Sequence, residues 1–217
     1  MNLWVDTVLV FLVLTGFLLL GSSRVAACIR TVALQGVLLG LLTLAVQENH
    51  PPVAVIIIAL TSAAVKGYVL PWLLFRAMRE ADTSREVEPL ISYNLSIISG
   101  AVILGVSLWL GQQLLLPSRP VSFFLVPAAF FTSLVGLFLI ISRRKAITQV
   151  LGYLTLENGV YAFGAAVSLE MPILVELGIL LDVFVAVFVM GIAIFHISRE
   201  FDHIDTDRLA TLTDRIR

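Results

Sequence analysis

Charge is what this sequence has least of. Aspartate, glutamate, lysine and arginine together make up 13% of its 217 residues, where a soluble domain of this size carries about a quarter. A chain so poor in charge cannot cover its own surface in water. With 59% hydrophobic residues and a mean hydropathy of +1.01, its solvent is the lipid bilayer. The apolar runs are long and continuous, which excludes the short alternating segments of a membrane β-barrel. Cysteine is almost as scarce. Cys28 stands alone, which excludes a disulfide within the chain and an iron–sulfur cluster held by it. The three histidines, His50, His196 and His203, fall at or beyond predicted helix ends, so no mid-membrane pair is available to ligate a haem. There is no nucleophile elbow, no zinc-binding His/Glu helix, no phosphate loop and no Gly-rich dinucleotide fingerprint. The expectation is a protein with no catalytic centre of its own, no cofactor, no metal and no nucleic-acid partner.

What is present is apolar sequence in seven runs, at about 3–21, 31–46, 53–75, 90–110, 121–142, 146–168 and 172–198. Most reach the ~20 residues needed to cross ~30 Å of hydrocarbon. The predicted fold class is all-α, a polytopic membrane protein of about seven transmembrane helices. Val25-Ala-Ala-Cys28 faintly resembles a lipoprotein cleavage site. The residues before it lack a basic region and include Asp6, so 3–21 reads as a retained helix. Seven spans place Arg24, Arg30, Arg76, Arg79, Arg85, Arg143, Arg144, Lys145, Arg199, Arg208, Arg215 and Arg217 on one side. Arg119 alone is left on the other, and Lys66 lies inside a span. The positive-inside rule then puts the C-terminus in the cytoplasm and the N-terminus outside, and removing any one span would scramble this segregation. The loop 111–120, with Pro117 and Pro120, divides an N-terminal four-helix half, 1–110, from a C-terminal three-helix unit, 121–198. A charged tail, 199–217, follows.

The ionisable residues inside these spans carry the functional signal, because an acid at the centre of a spanning helix costs about 2.5–3.5 kcal/mol on insertion scales. Glu157 sits in the sixth span, and on a helix Gln149, Tyr153, Glu157 and Tyr161 share one face with Gly164. Asp182 lies about ten residues into the seventh span, at a depth matching Glu157. It shares a face with Gly178, Ala186, Ala193 and His196. Glu176 points elsewhere and lies nearer the outer end. Lys66 lies in the third span, followed by Pro71. Snorkelling is one reading of that lysine, but about ten residues, or ~15 Å, separate it from Arg76, a depth that favours a buried lysine facing an acid or water. Glu157, Asp182, Lys66 and Glu176 are therefore proton-relay candidates, with Tyr153, Tyr161, Gln149 and His196 as supporting polar groups. The competing reading is a protonated acid acting as interhelical glue. Gly36 and Gly40 in the second span, and Ser92, Ser96 and Ser99 in the fourth, read as close-packing positions.

Two long motifs add a resemblance. Lys145-Ala-Ile-Thr-Gln-Val-Leu-Gly-Tyr-Leu-Thr-Leu-Glu-Asn-Gly159 and Leu174-Val-Glu-Leu-Gly-Ile-Leu-Leu-Asp-Val-Phe-Val-Ala-Val-Phe-Val-Met-Gly191, in that order, resemble the hydrogenase-4 component E family. These are membrane subunits of group 4 [NiFe] hydrogenase and formate hydrogenlyase-type complexes. The resemblance extends to Lys66-Gly and Pro71-Trp, and the C-terminal part is similar to the K subunit of respiratory complex I. It implies a non-catalytic membrane-arm subunit that helps couple redox chemistry elsewhere to proton or sodium movement. Its implied partners are antiporter-like membrane subunits, a membrane anchor subunit and a soluble [NiFe]-hydrogenase-type arm. Glu157 matches the second-helix acid of the K-type subunit. The third-helix acid has no match, since Ile192-Ala-Ile-Phe occupies its expected place and Asp182 lies well before it. The alternatives are a stand-alone secondary transporter using Lys66 and Asp182, and a structural spacer between antiporter-like subunits.

Overall fold

The computed structural model describes residues 3–46, 53–80, 87, 90–114 and 122–167. Those residues build helices α1 (Leu3–Gly21), α2 (Val25–Ala45), α3 (Val53–Ala64), α4 (Leu70–Glu80), α5 (Tyr93–Gln113), α6 (Leu125–Ser142) and α7 (Ala146–Val167), with a π-helical turn, Val65–Val69, joining α3 to α4. Among the described residues there is no strand. Five helices are long and apolar enough to cross a membrane: α1, α2, the continuous rod Val55–Arg79, α5 and α6. At 1.5 Å per residue each covers about 30 Å, the thickness of the hydrocarbon core. The described residues form the all-helical bundle of a membrane protein. The expected seventh span at 172–198 lies outside the described residues, and with it Glu176, Asp182, His196 and the tail 199–217.

Charged residues end an apolar run, but they do not end a helix. Helix α2 begins at Val25, not near residue 31, and carries Arg30 exposed on its surface. Helix α4 likewise continues through Arg76 and Arg79 to Glu80. Pro71 explains the irregular turn before it. A proline inside a helix lacks the N–H for the ladder, and its ring crowds the carbonyl four residues back. The chain accommodates this by widening over Val65–Val69, where the Leu70 N–H bonds the Val65 carbonyl.

Small residues set how closely the helices approach. On α6 and α7 a Cβ at Gly152 would fall 2.8 Å from the Ile140 nitrogen, and Cβ atoms at Gly136 and Gly159 would collide with the Leu156 and Ser133 backbones. Residues 136 with 156, 140 with 152 and 133 with 159 thus face one another, which is an antiparallel pair in near backbone contact. The same device joins α2 to the third rod, where Gly36 meets Lys66 and Gly40 meets Ala63. Of the five membrane-length helices, α2 and α6 are the most enclosed, 56% and 61% buried, against 17% for α5. The interior is therefore built mainly on α1, α2, α6 and α7.

That interior has two apolar clusters. One contains Leu19, Leu20, Ile29, Val32, Leu70, Phe131, Leu139 and Leu151. The other contains Val5, Leu9, Leu12, Leu39, Leu42, Leu125 and Ala162. On α1, α2 and α7 the two clusters leave a gap in the chain, and each gap holds a buried polar residue: Thr15, Gln35, and Glu157 with Asn158. A polar layer separates two greasy ones.

Candidate functional site

The polar layer is centred on an ion pair. Lys66, in the π-turn, places Nζ 2.5 Å from Glu157 Oε1 on α7, and both side chains are within 5% of complete burial. Each residue lies about ten residues or more from the ends of its rod. Taking two such charges out of water costs several kcal/mol per ion, which only close pairing and further hydrogen bonds offset. The local sequence provides that closeness. Gly36 has no side chain and lets the π-turn approach α2, while Gly136, Gly152 and Gly159 draw α7 onto α6.

Further hydrogen bonds come from residues that apolar periodicity does not reveal. Lys66 Nζ donates to Asn158 Oδ1 at 3.4 Å. Asn158 Nδ2 donates to Gln35 Oε1 at 3.3 Å, Gln35 Nε2 donates to Thr15 Oγ1 at 3.1 Å, and Thr15 Oγ1 donates to the Leu12 carbonyl at 2.6 Å. On another side the Lys66 ammonium stands 5.3 Å from the Tyr161 ring centroid, a favourable cation–π distance. The Tyr161 hydroxyl shares a 3.0 Å hydrogen bond with Thr43 Oγ1. The site thus joins α1, α2, the third rod and α7. Thr15, Gln35, Thr43 and Asn158 are missing from the sequence-based site. A search for uncharged amides near mid-span would have flagged Gln35 and Asn158, because a buried amide also needs partners.

The remaining predicted residues divide. Tyr161 joins the Lys66–Glu157 group. Tyr153 is half-buried and packs against the first apolar cluster. Gln149 sits at the start of α7, where its Nε2 donates to the Arg143 carbonyl at 3.1 Å, so it secures a helix end. Asp182, Glu176 and His196 lie outside the described residues. Among the described residues no group of three or more His, Cys, Asp or Glu could hold a metal ion.

A second buried charge lies at the opposite end of the bundle from Thr43. Arg143 follows α6, is 2% exposed, and donates from Nη2 to the Leu20 carbonyl at 3.0 Å, one of the carbonyls left open where α1 ends. Its guanidinium lies 5.5 Å from the Tyr93 ring centroid. Nearby, the Val87 N–H bonds the Ser23 carbonyl at 2.8 Å and the Leu90 N–H bonds the Ser142 carbonyl at 2.9 Å. Burial lowers the Arg143 guanidinium from the ordinary arginine value, but arginine starts so high that it stays charged. This junction ties the ends of α1, α5, α6 and α7 together.

Comparison with known proteins gives two levels of similarity. No family model matches the chain, and no solved structure matches it. Hydrogenase-4 component E of Escherichia coli strain K12 is 37% identical over 79 residues, covering 36% of this chain and 37% of that protein. The Shigella flexneri protein of the same name matches equally. The uncharacterized protein Rv0085 of Mycobacterium tuberculosis is 34% identical over 206 residues, 94% of this chain and 93% of its own length. With that identity spread across nearly all of both sequences, the chain belongs to the same family as the mycobacterial protein.

Proposed function

We propose that this protein is a non-catalytic membrane subunit of a hydrogenase-like or complex I-like oxidoreductase, and that Glu157 is a relay carboxylate in a proton or sodium path driven by redox chemistry in other subunits. The observation that carries the reading is the Lys66–Glu157 pair, buried at mid-length in the membrane-length third rod and in α7. Ionisable groups in that position are costly and mark ion paths by default. A carboxylate whose charge is balanced by one lysine takes up and releases a single proton with a large local change in field, which suits a relay. The partial similarity to hydrogenase-4 component E supports the type of assembly. Antiporter-like membrane subunits, a membrane anchor subunit and a soluble [NiFe]-hydrogenase-type arm are the proposed partners, and the plasma membrane is the proposed location. Within the chain, 1–110 and 121–198 are proposed as the two units, the second supplying Glu157 and Asp182.

The test is purification of the tagged chain in mild detergent, identification of what accompanies it, and reconstitution of the whole assembly in liposomes with H2, formate or NADH as electron donor. Redox-driven ion movement is expected, with loss of that movement in Glu157→Gln while the subunits still assemble. Recovery of the chain without redox subunits would favour a stand-alone transporter and sink the proposal. Normal ion movement in Glu157→Gln would reduce Glu157 to interhelical glue.

A further inference from the structure

The π-helical turn of the third rod presents two sides to two different surroundings. Lys66 is 4% exposed, whereas Tyr68, two residues on and so on the other side of the rod, is 73% exposed. Along that outer side Thr61, Ala64, Tyr68 and Trp72 recur at spacings of three and four, and all four are exposed. Beyond them the stripe ends on Arg76 and Arg79, both exposed, with the Arg76 guanidinium 5.9 Å from the Trp72 ring centroid.

A helix side that meets only hydrocarbon has no use for hydroxyls. Tyr68 lies eight residues before Arg76, roughly 12 Å along the axis. Helix side chains lean toward the N-terminus, which here takes the phenol further from the arginine end. No hydrogen bond of the described residues engages the Tyr68 hydroxyl. Thr61 is a second such group. Seven other threonines in the described residues donate to a backbone carbonyl three or four residues back, and Thr61 does not. Lipid tails offer no acceptor, so a hydroxyl placed among them goes unsatisfied at a cost.

A second copy of the chain is no better suited. Two copies inserted with the same topology and meeting through this one side would set Arg79 against Arg79, and like charges placed together oppose association. Only a helix of different sequence answers both ends of the stripe.

We propose that Thr61, Tyr68, Trp72 and Arg79 mark the docking surface for a transmembrane helix of a different membrane subunit, one that presents a hydrogen-bond acceptor beside Tyr68 and an acidic residue beside Arg79. The inference rests on the reading of this chain as one subunit of a membrane assembly and is independent of the relay role of Glu157. It places that neighbour against the same π-turn that carries Lys66.

The test is photo-crosslinking in the full chain, with Tyr68 replaced by benzoylphenylalanine and, as a control, Phe11 of α1, which is 51% exposed, replaced in the same way. Adducts are identified by mass spectrometry after irradiation of whole cells. The expected result is an adduct between position 68 and a transmembrane segment of a different membrane protein, absent from the Phe11 control. That protein also accompanies the tagged chain in mild detergent. Tyr68→Phe removes only the hydroxyl and is expected to weaken its retention roughly fivefold, the effect of one ordinary hydrogen bond. Adducts to lipid alone, to a second copy or to residues 172–198 of the same chain overturn the proposal, and so does unchanged retention in Tyr68→Phe. If the position 68 variant fails to accumulate, the same group at Trp72 decides in the same way. Redox subunits that accompany the chain without an adduct at position 68 would remove this docking surface and leave the assembly standing. An adduct to a membrane protein of no redox complex would keep the surface and sink the assembly proposed above.

Discussion

Gly36 on α2 and Lys66 in the π-turn occupy adjoining space with no room for another carbon. A Cβ at position 36 would stand 2.5 Å from the Lys66 Cβ and 2.9 Å from its carbonyl carbon. The second contact is with backbone, so a side-chain rotation cannot relieve it. Gly36→Ala is therefore expected to push the π-turn off α2 and carry Lys66 away from Glu157. Overpacking of this kind costs about 1–3 kcal/mol. The outcome to look for is a lower unfolding temperature in detergent together with a fall in ions moved per electron pair. Gly105 on α5 offers a control, since a Cβ there would meet nothing within 4 Å. Gly105→Ala is expected to leave both measurements unchanged.

The Lys66–Glu157 pair separates a structural role from a relay role in a second way. Removing one member of a buried pair leaves an uncompensated charge and costs about 3–5 kcal/mol, while replacing both with apolar side chains of similar size is often close to neutral. Lys66→Met alone is accordingly expected to reduce the amount of protein in the membrane. The double variant Lys66→Met with Glu157→Leu is expected to restore that amount, as read by immunoblot of washed membranes. Ion movement is expected to remain absent in the double variant, because the relay carboxylate is gone. A double variant that both accumulates and moves ions would make the pair a structural device only.

How far the sequence made this visible differs from residue to residue. The helical rods follow from apolar runs of about the right length, and Lys66 and Glu157 stand out because a charge in such a run is expensive. Helix ends were less legible. Arg30, Arg76 and Arg79 mark where the apolar surface stops, while the backbone hydrogen bonds continue past them. Gln35 and Asn158 were legible only as amides near mid-span, and their meeting with Thr15 and Thr43 was not legible. Threonine and uncharged amides are common enough in membrane helices to pass unnoticed, and their meeting depends on which helices are neighbours. Thr15 and Asn158 are far apart in the chain and are joined through Gln35 only because α2 lies between α1 and α7. Arg143 misled in a different way. In sequence it belongs to a basic turn facing water, but the fold draws it inward to the open carbonyl of Leu20.

That inward position predicts a stability effect without a coupling effect. Arg143→Ala removes one of the largest fully buried side chains and leaves both a cavity and an unbonded Leu20 carbonyl. Cavity formation alone costs about 2–5 kcal/mol for a large side chain. Less protein in the membrane and a lower unfolding temperature are expected. Ions moved per electron pair by the assemblies that do form are expected to match the wild type, since Arg143 shares no hydrogen bond with the Lys66 group. A selective loss of coupling would instead tie this junction to the ion path.

Cys28 makes the topology directly measurable. It is the one cysteine of the chain and is buried, with 6% exposed, so Cys28→Ala gives a cysteine-free background at little structural cost. Into that background Ser84→Cys, Ser118→Cys and Asp202→Cys are introduced one at a time, and intact cells are treated with a membrane-impermeant maleimide. The segregation of arginine and lysine predicts that only Ser118→Cys is labelled from outside, with Ser84→Cys and Asp202→Cys labelled in inverted vesicles. Residues 84 and 202 fall on the same side only if an even number of spans separates them. Seven spans in all place four there, at 90–110, 121–142, 146–168 and 172–198. Labelling of Asp202→Cys from outside would remove one of the four. Because Tyr93–Gln113 and Leu125–Ser142 are long and apolar enough to cross, the span removed would be the one carrying Glu157 or the one carrying the proposed partner acid Asp182, and the path through them would have to be redrawn.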